Sequence, residues 1–179
     1  MASVEFEPPL PVALTRVLDV AEHAYLATVE GGAPHLSLMR YTFQDLPELG
    51  HVLILTTRRD TKKFAALIAQ PKVAVLIHDF QAGSHETGTL SITVYGNAVE
   101  MHGEVAERLR AAHVARNPHY EQFIIGDNIA VISVQVTLAR MCTVGDIVET
   151  WEHPRARGTS LESAGGALSQ GVGGGAAEK

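Results

Sequence analysis

The chain has a single cysteine, Cys142, among its 179 residues. That excludes an intrachain disulfide and any cysteine-based metal site. Long apolar runs are missing too: no stretch approaches the roughly 18 residues that a membrane-spanning helix needs. The opening, MASVEFEPPLPV, carries acids and prolines instead of a basic segment followed by an apolar run, and so does not read as a secretory signal. Positive charge is scarce, with 14 Lys and Arg against 20 Asp and Glu and a formal net charge of -6. Nucleic acid and anionic membranes attract proteins through a positive face, so neither is expected as a partner. Aromatic residues make up only 6% of the chain, and no stacking platform surrounds its one basic cluster. The nine histidines are scattered, with His113 and His119 six apart, and none reproduces a zinc-ligand spacing. No metal is expected, and a cytoplasmic protein is.

What is present is a hydrophobic fraction of 46%, enough for one domain with a substantial core. Residues 1–11 read as a lead-in, 12–153 as the domain, and 154–179, rich in Gly, Ala and Ser, as a tail too poor in apolar surface to order itself. Pro11 starts a short helix that ends near His23. AYLATV (24–29), the Gly31-Gly32 turn and PHLSLMRYTF (34–43) form a hairpin, with Leu36, Leu38, Arg40 and Thr42 on one face of its second strand. HVLILTT (51–57) is a strand buried on both sides. TKKFAALIA follows as a helix with Phe64, Leu67 and Ile68 as its stripe, and KVAVLIHDF as the next strand. TLSITVYGNAVEM (89–101) is a long strand, with Gly96 marking a bulge or bend. EVAERLRAAHVARN (104–117) is an amphipathic helix with Val105, Leu109, Ala112 and Ala115 inward, and NPHYEQFI continues as a turn or second helical piece. NIAVISVQVTLARMCTV (128–144) is the last strand, with an extension through GDIVETWE. About six mostly antiparallel strands with peripheral helices make an α+β barrel, and short connections favour its closure.

The strand-to-helix junction at Thr56–Lys63 is the candidate site. It gathers Arg58, Arg59, Lys62 and Lys63 in a chain of net negative charge. Free N–H groups and the helix dipole make a helix N-terminus attractive to anions, and lysines in the first turn oppose that dipole unless an anion sits close. A phosphate is the natural occupant. The competing reading is a solvated turn, with Asp60 or Thr61 as N-cap and Asp60 paired to an arginine.

Strand, turn, helix, proline and strand, set between LATVEGGAPHLSLM and LSITVYGNAVEM, resemble the FMN-binding split β-barrel superfamily typified by pyridoxamine 5′-phosphate oxidase. The resemblance spans about residues 12–140. It implies a six-stranded split β-barrel, a homodimer with FMN sites at the interface, and redox chemistry on a small-molecule substrate that the sequence does not specify. In that family a threonine ending the strand and a Ser/Thr-Arg/Lys-Lys triplet hold the flavin phosphate; here these are Thr56, Thr57, Thr61, Lys62 and Lys63. The flavin-edge strand falls on Ser37, Leu38, Met39, Arg40, Tyr41 and Thr42, and the strand before the Tyr-Gly-Asn-Ala stretch contributes Ser91. Arg40 is a candidate to tune the ring, or a solvent-facing strand residue. Departures are specific. The oxidase has arginine in place of Ser37, glutamine in place of Ser91 and a basic residue in place of Thr42, and its C-terminal substrate-binding segment has no counterpart. The resemblance therefore implies an FMN-dependent oxidoreductase other than the oxidase itself. The alternatives are an F420-dependent reductase or a non-catalytic flavin or haem carrier, in which one histidine is the axial ligand. No general acid or base stands out.

Overall fold

The computed structural model describes residues 9–80 and 90–153. Most of the expected lead-in, the 81–88 loop and the 154–179 tail lie outside the described residues. Helix α1 (Val12–Val20) follows Pro11 and buries Leu14, Val17 and Leu18, one stripe at helical spacing. It stops three residues before the expected end, because His23 already belongs to β1 (His23–Glu30). The Gly31-Gly32 turn has φ of 57° and 84°, a left-handed pair that glycine adopts without Cβ strain, and it closes the hairpin onto β2 (Ala33–Arg40).

The expected 34–43 strand is broken at Tyr41, and a separate β3 (Thr42–Leu46) begins beyond it. The break is topological. β4 (Gly50–Arg58), β5 (Lys72–His78), β6 (Leu90–Met101) and β7 (Ile129–Thr143) complete a sheet of order β2-β1-β5-β6-β7-β4-β3. Its two edge strands, β2 and β3, are joined through Tyr41 alone, so the sheet must curl until its edges meet at that corner. The Tyr41 hydroxyl donates to Leu18 O (2.8 Å), tying α1 to the corner. Among the described residues there are eight strands where about six were expected. All the pairings are antiparallel, and the ladder stays open between β2 and β3 where closure was expected. The C-terminal stretch does not prolong β7. It reverses through a turn at 144–147 into β8 (Val148–Glu152), which pairs Leu138–Cys142 of β7.

Gly96 sits where the β6–β7 register shifts. Tyr95 pairs Leu138 and Gly96 pairs Val136, so Thr137 is the extra residue of a bulge. β7 changes partner there, from β4 along residues 129–135 to β8 along residues 138–142, and the bulge supplies the bend.

The main core lies inside the curl, built from Leu26, Leu53, Leu55, Val75, Ile77, Ile92, Val94, Ile132 and Val134. A smaller one lies outside it, where α3 (Gly103–Arg116) packs Ala106 and Leu109 onto Val52, Ile54 and Val131. The two cores explain why β4 is buried on both sides. In α3 the inward positions are Ala106, Leu109 and His113, with Val105 and Ala112 partly buried; Ala115, expected inward, is exposed. Helix α2 (Lys62–Ala69) buries Ala66 and Leu67 and packs Phe64 on the main core, while Ile68, expected in the stripe, faces out at 54% exposure. Pro118–Phe123 is a 3-10 helix. Trp151 of β8 is buried in the main core against His51, with ring centroids 5.4 Å apart. Among the described residues no helix is long and apolar enough to cross a membrane.

Candidate functional site

The N-terminus of α2 is built as its sequence implies. The Thr61 hydroxyl accepts from Phe64 N (3.2 Å) and donates to Arg58 O (2.8 Å), so Thr61 is the N-cap. Thr57 Oγ1 lies 3.3 Å from Thr61 Oγ1. The four cations of the turn separate into different roles. Arg58 is spent on Asp60, with contacts of 2.5 and 3.0 Å that hold the Asp60 carboxyl below its ordinary range. Arg59 is spent on Glu100 (2.9 Å). Lys62 is exposed. Lys63 is half-buried, its ammonium donates among the described residues only to the Met39 thioether (2.9 Å), and burial lowers its pKa. A thioether is a weak acceptor, so Lys63 is the one cation of the turn that is both desolvated and uncompensated. The competing reading is correct about the cap and about Asp60, and it leaves Lys63 unexplained.

The other predicted residues do not converge on that point. β2 alternates, and register with β1 and β5 places Leu36 and Leu38 on the outer sheet surface beside Tyr25, Leu76 and His78. Together with Ala27, Ala74 and Thr93, Leu36, Tyr25, Leu76 and His78 line an apolar groove of about 390 Å³. Ser91 is paired to His78 in register at its rim, with its hydroxyl on Cys142 O (3.3 Å). Ser37 and Met39 take the opposite face, and Met39 is buried against the core near Lys63. As an edge strand, β2 leaves alternate backbone groups without a ladder partner, which is the feature a ring-binding strand requires.

Three predicted contacts instead hold the α3 arm. Thr42 Oγ1 is 2.8 Å from His113 Nδ1, and Asn117 Nδ2 donates to the same nitrogen (3.2 Å). The Thr56 hydroxyl donates to Phe123 O (3.0 Å), while Thr57, its neighbour, points to the other face of β4. Arg40 is neither solvent-facing nor free. It donates to Glu22 Oε2 (3.0 Å) and to the Tyr120 hydroxyl (2.5 Å). His113, fully buried, was invisible to sequence reasoning, because a histidine in a charged, alanine-rich helix gives no signal until its face is known.

The groove has its own aromatic edge. His78 stacks between Tyr25 (5.9 Å) and Phe80 (5.2 Å), and Phe80 N donates to His78 Nδ1 (3.2 Å). Neutral His78 therefore carries its proton on Nε2, which is then a donor with no lone pair to offer a metal.

A curled antiparallel sheet whose edges meet at one corner, capped by helices and carrying a cationic turn at the head of α2, is a split β-barrel. A family model described as pyridoxamine 5′-phosphate oxidase matches residues 13–142, and the chain belongs to that family. A pyridoxamine 5′-phosphate oxidase homologue of Schizosaccharomyces pombe is 26% identical over 173 residues, covering 79% of this chain and 90% of its own length. Among solved structures, a haem-binding protein from Mycobacterium smegmatis superposes with a TM-score of 0.65 at 20% identity, over 81% of this chain and 60% of that one. An FAD-binding protein from Mesorhizobium loti does so with a TM-score of 0.57 at 19% identity, over 76% and 97% respectively. At those identities the two structures attest the fold.

Proposed function

We propose that this chain binds FMN and serves as a small-molecule oxidoreductase in the cytoplasm, working as a homodimer. The observation that carries the reading is Lys63: a desolvated ammonium without an acidic partner among the described residues, in the first turn of a helix capped by Thr61, whose hydroxyl lies 3.3 Å from that of Thr57. That donor set suits a phosphomonoester. Lys63 supplies charge and the helix end supplies oriented N–H groups, while the Thr57 and Thr61 hydroxyls join by turning from their present bonds to each other and to Arg58 O. The unpaired edge of β2 at Ser37–Arg40 and the neighbouring apolar groove suit the flat, mostly apolar ring at the other end of the same cofactor. When bound, FMN supplies hydride and electron transfer; the chain holds the phosphate, presents backbone groups to the ring and keeps water from its apolar side. Leu36 and Leu38, 64% and 60% exposed on the sheet surface, support a second copy as the cover of that groove.

Flavin is favoured over haem because His78, the histidine among the described residues that lines the groove, turns Nδ1 to the Phe80 N–H and would have to give up the Nε2 proton before ligating iron. Substrates other than pyridoxamine phosphate are favoured because Ser37, Ser91 and Thr42 leave the site without the charged and amide groups of the oxidase. Purified protein is expected to be yellow, and FMN is expected to bind Lys63→Ala about 10- to 100-fold more weakly than wild type, as loss of one charge-assisted contact implies. An unchanged dissociation constant refutes the phosphate assignment. A Soret band in place of the flavin spectrum makes the protein a haem carrier, a deazaflavin spectrum makes it an F420 protein, and bound FMN without oxidation of any nicotinamide or amine substrate makes it a flavin carrier.

A further inference from the structure

Arg59 belongs to the cationic turn but looks away from α2. Its Nε and Nη2 reach Glu100 Oε1 (3.0 and 2.9 Å), its Nη1 donates to Asp127 O (2.9 Å), and its backbone N–H donates to Asn128 O (2.8 Å). Glu100 is 15% exposed and sits near the end of β6, 41 residues away in sequence. One side chain thus rivets the turn to two other parts of the barrel. The far side of the same clamp is Arg110 of α3, which donates to Ile124 O and to Ile129 O (3.2 Å), closing the 124–129 segment against the turn. These bonds engage every nitrogen of the Arg59 guanidinium and leave one N–H on each Nη, and Glu100 balances its charge, so an anion meets Arg59 only in competition with that carboxylate.

We infer that Arg59, through Glu100 and the Asp127 carbonyl, is a positioning residue that preorganises the anion-binding turn, leaving Lys63 as the charge that the anion meets. The inference rests on the phosphate reading of that turn. The physical reason is entropic. A turn that must aim several donors at one phosphate binds more tightly when it is already fixed, because the ordering cost is met in folding and not in binding. A salt bridge whose carboxylate is only 15% exposed, with the Asp127 carbonyl on a further guanidinium N–H, holds its geometry better than a fully exposed ion pair does.

The experiment has an arm without ligand and an arm with FMN and riboflavin, which differ by the phosphate. In the first, amide exchange of residues 59–64 in full-length protein is expected to rise roughly tenfold in Arg59→Ala, with β4 and β6 core amides unchanged. In the second, the preference for FMN over riboflavin is expected to fall about tenfold in Arg59→Ala and Glu100→Gln, with riboflavin affinity unmoved and Arg59→Lys recovering part of the loss. Unchanged exchange at 59–64 overturns the proposal. So does tighter FMN binding by Glu100→Gln, since that would reveal Arg59 as an anion ligand restrained by its partner. If wild type shows no preference for FMN over riboflavin, the phosphate reading fails while the exchange arm still decides whether Arg59 fixes the turn.

Discussion

Gly96 shows how much one residue can decide in a curled sheet. A Cβ at this position would lie 2.3 Å from the Gln135 carbonyl oxygen and 2.8 Å from a Val134 methyl. The first neighbour is backbone of the paired strand, which cannot swing aside without losing the bulge at Thr137. Gly96→Ala is therefore expected to destabilise the fold by about 2–4 kcal/mol, the range of an overpacked or strained core position. Denaturant unfolding checks it, and a loss under about 0.5 kcal/mol would show that the bulge can shift freely. The glycine was legible as a bend because it interrupts a run of β-formers. Its contact with Gln135 was not, since that contact exists only once β7 has been brought alongside with one residue extra.

At the scale of elements, the sequence announces helices and strands through their own periodicity and conceals what packs on them. Strand β4 reads as doubly buried because its apolar residues run without a break, and the two cores on its faces confirm the reason. Helix α3 misleads: its alanines look equivalent until the partner strands choose a side, and the choice buries His113 while leaving Ala115 in solvent. The cationic turn was legible as a cluster, whereas its division of labour was not, because Glu100, Asp127 and Met39 approach only through the sheet. Among these, His113 carries a pH dependence. Burial lowers its pKa to about 4, so the neutral form is the native one, with Nδ1 within hydrogen-bond distance of the Thr42 hydroxyl and the Asn117 amide. The unfolded chain takes up the proton near pH 6.5, well above the folded protein. The stabilising contribution is thus complete above about pH 6.5, declines as pH falls toward 4, and amounts to about 3 kcal/mol in total. Melting temperatures measured across that window should fall with pH, and His113→Gln, which keeps an acceptor but cannot titrate, should flatten the slope. Equal slopes in the two proteins would remove His113 as the cause.

At the scale of the whole molecule, one apolar sheet face is left uncovered by the described residues. Sheets in small barrels are ordinarily wetted by polar residues on their outer faces, yet β2, β1, β5 and β6 present Leu36, Leu38, Val29, Leu76 and Tyr95 outward at 40% exposure or more. These residues share the face that carries the groove and the Tyr25–His78–Phe80 stack, whereas the outer face of β4 and β7 is sealed by α3. A patch this apolar on a chain of charge -6 is best satisfied by an identical patch, since two-fold association is self-complementary and needs no partner of opposite charge. A standard dimer interface buries about 800 Å² per partner, which a four-stranded face of this kind can supply. Wild type is accordingly expected to sediment as a dimer at micromolar concentration, and Leu36→Glu combined with Leu38→Glu as a monomer with the same circular dichroism spectrum. Because the groove would then lie open to water, the monomeric variant should also lose affinity for riboflavin and FMN alike, leaving their ratio intact. That pattern is the reverse of the one expected for Lys63→Ala and Arg59→Ala, where the ratio collapses and the riboflavin affinity stays. A wild-type protein that is monomeric at micromolar concentration would refute the two-fold assembly, and with it the second copy as the cover of the groove.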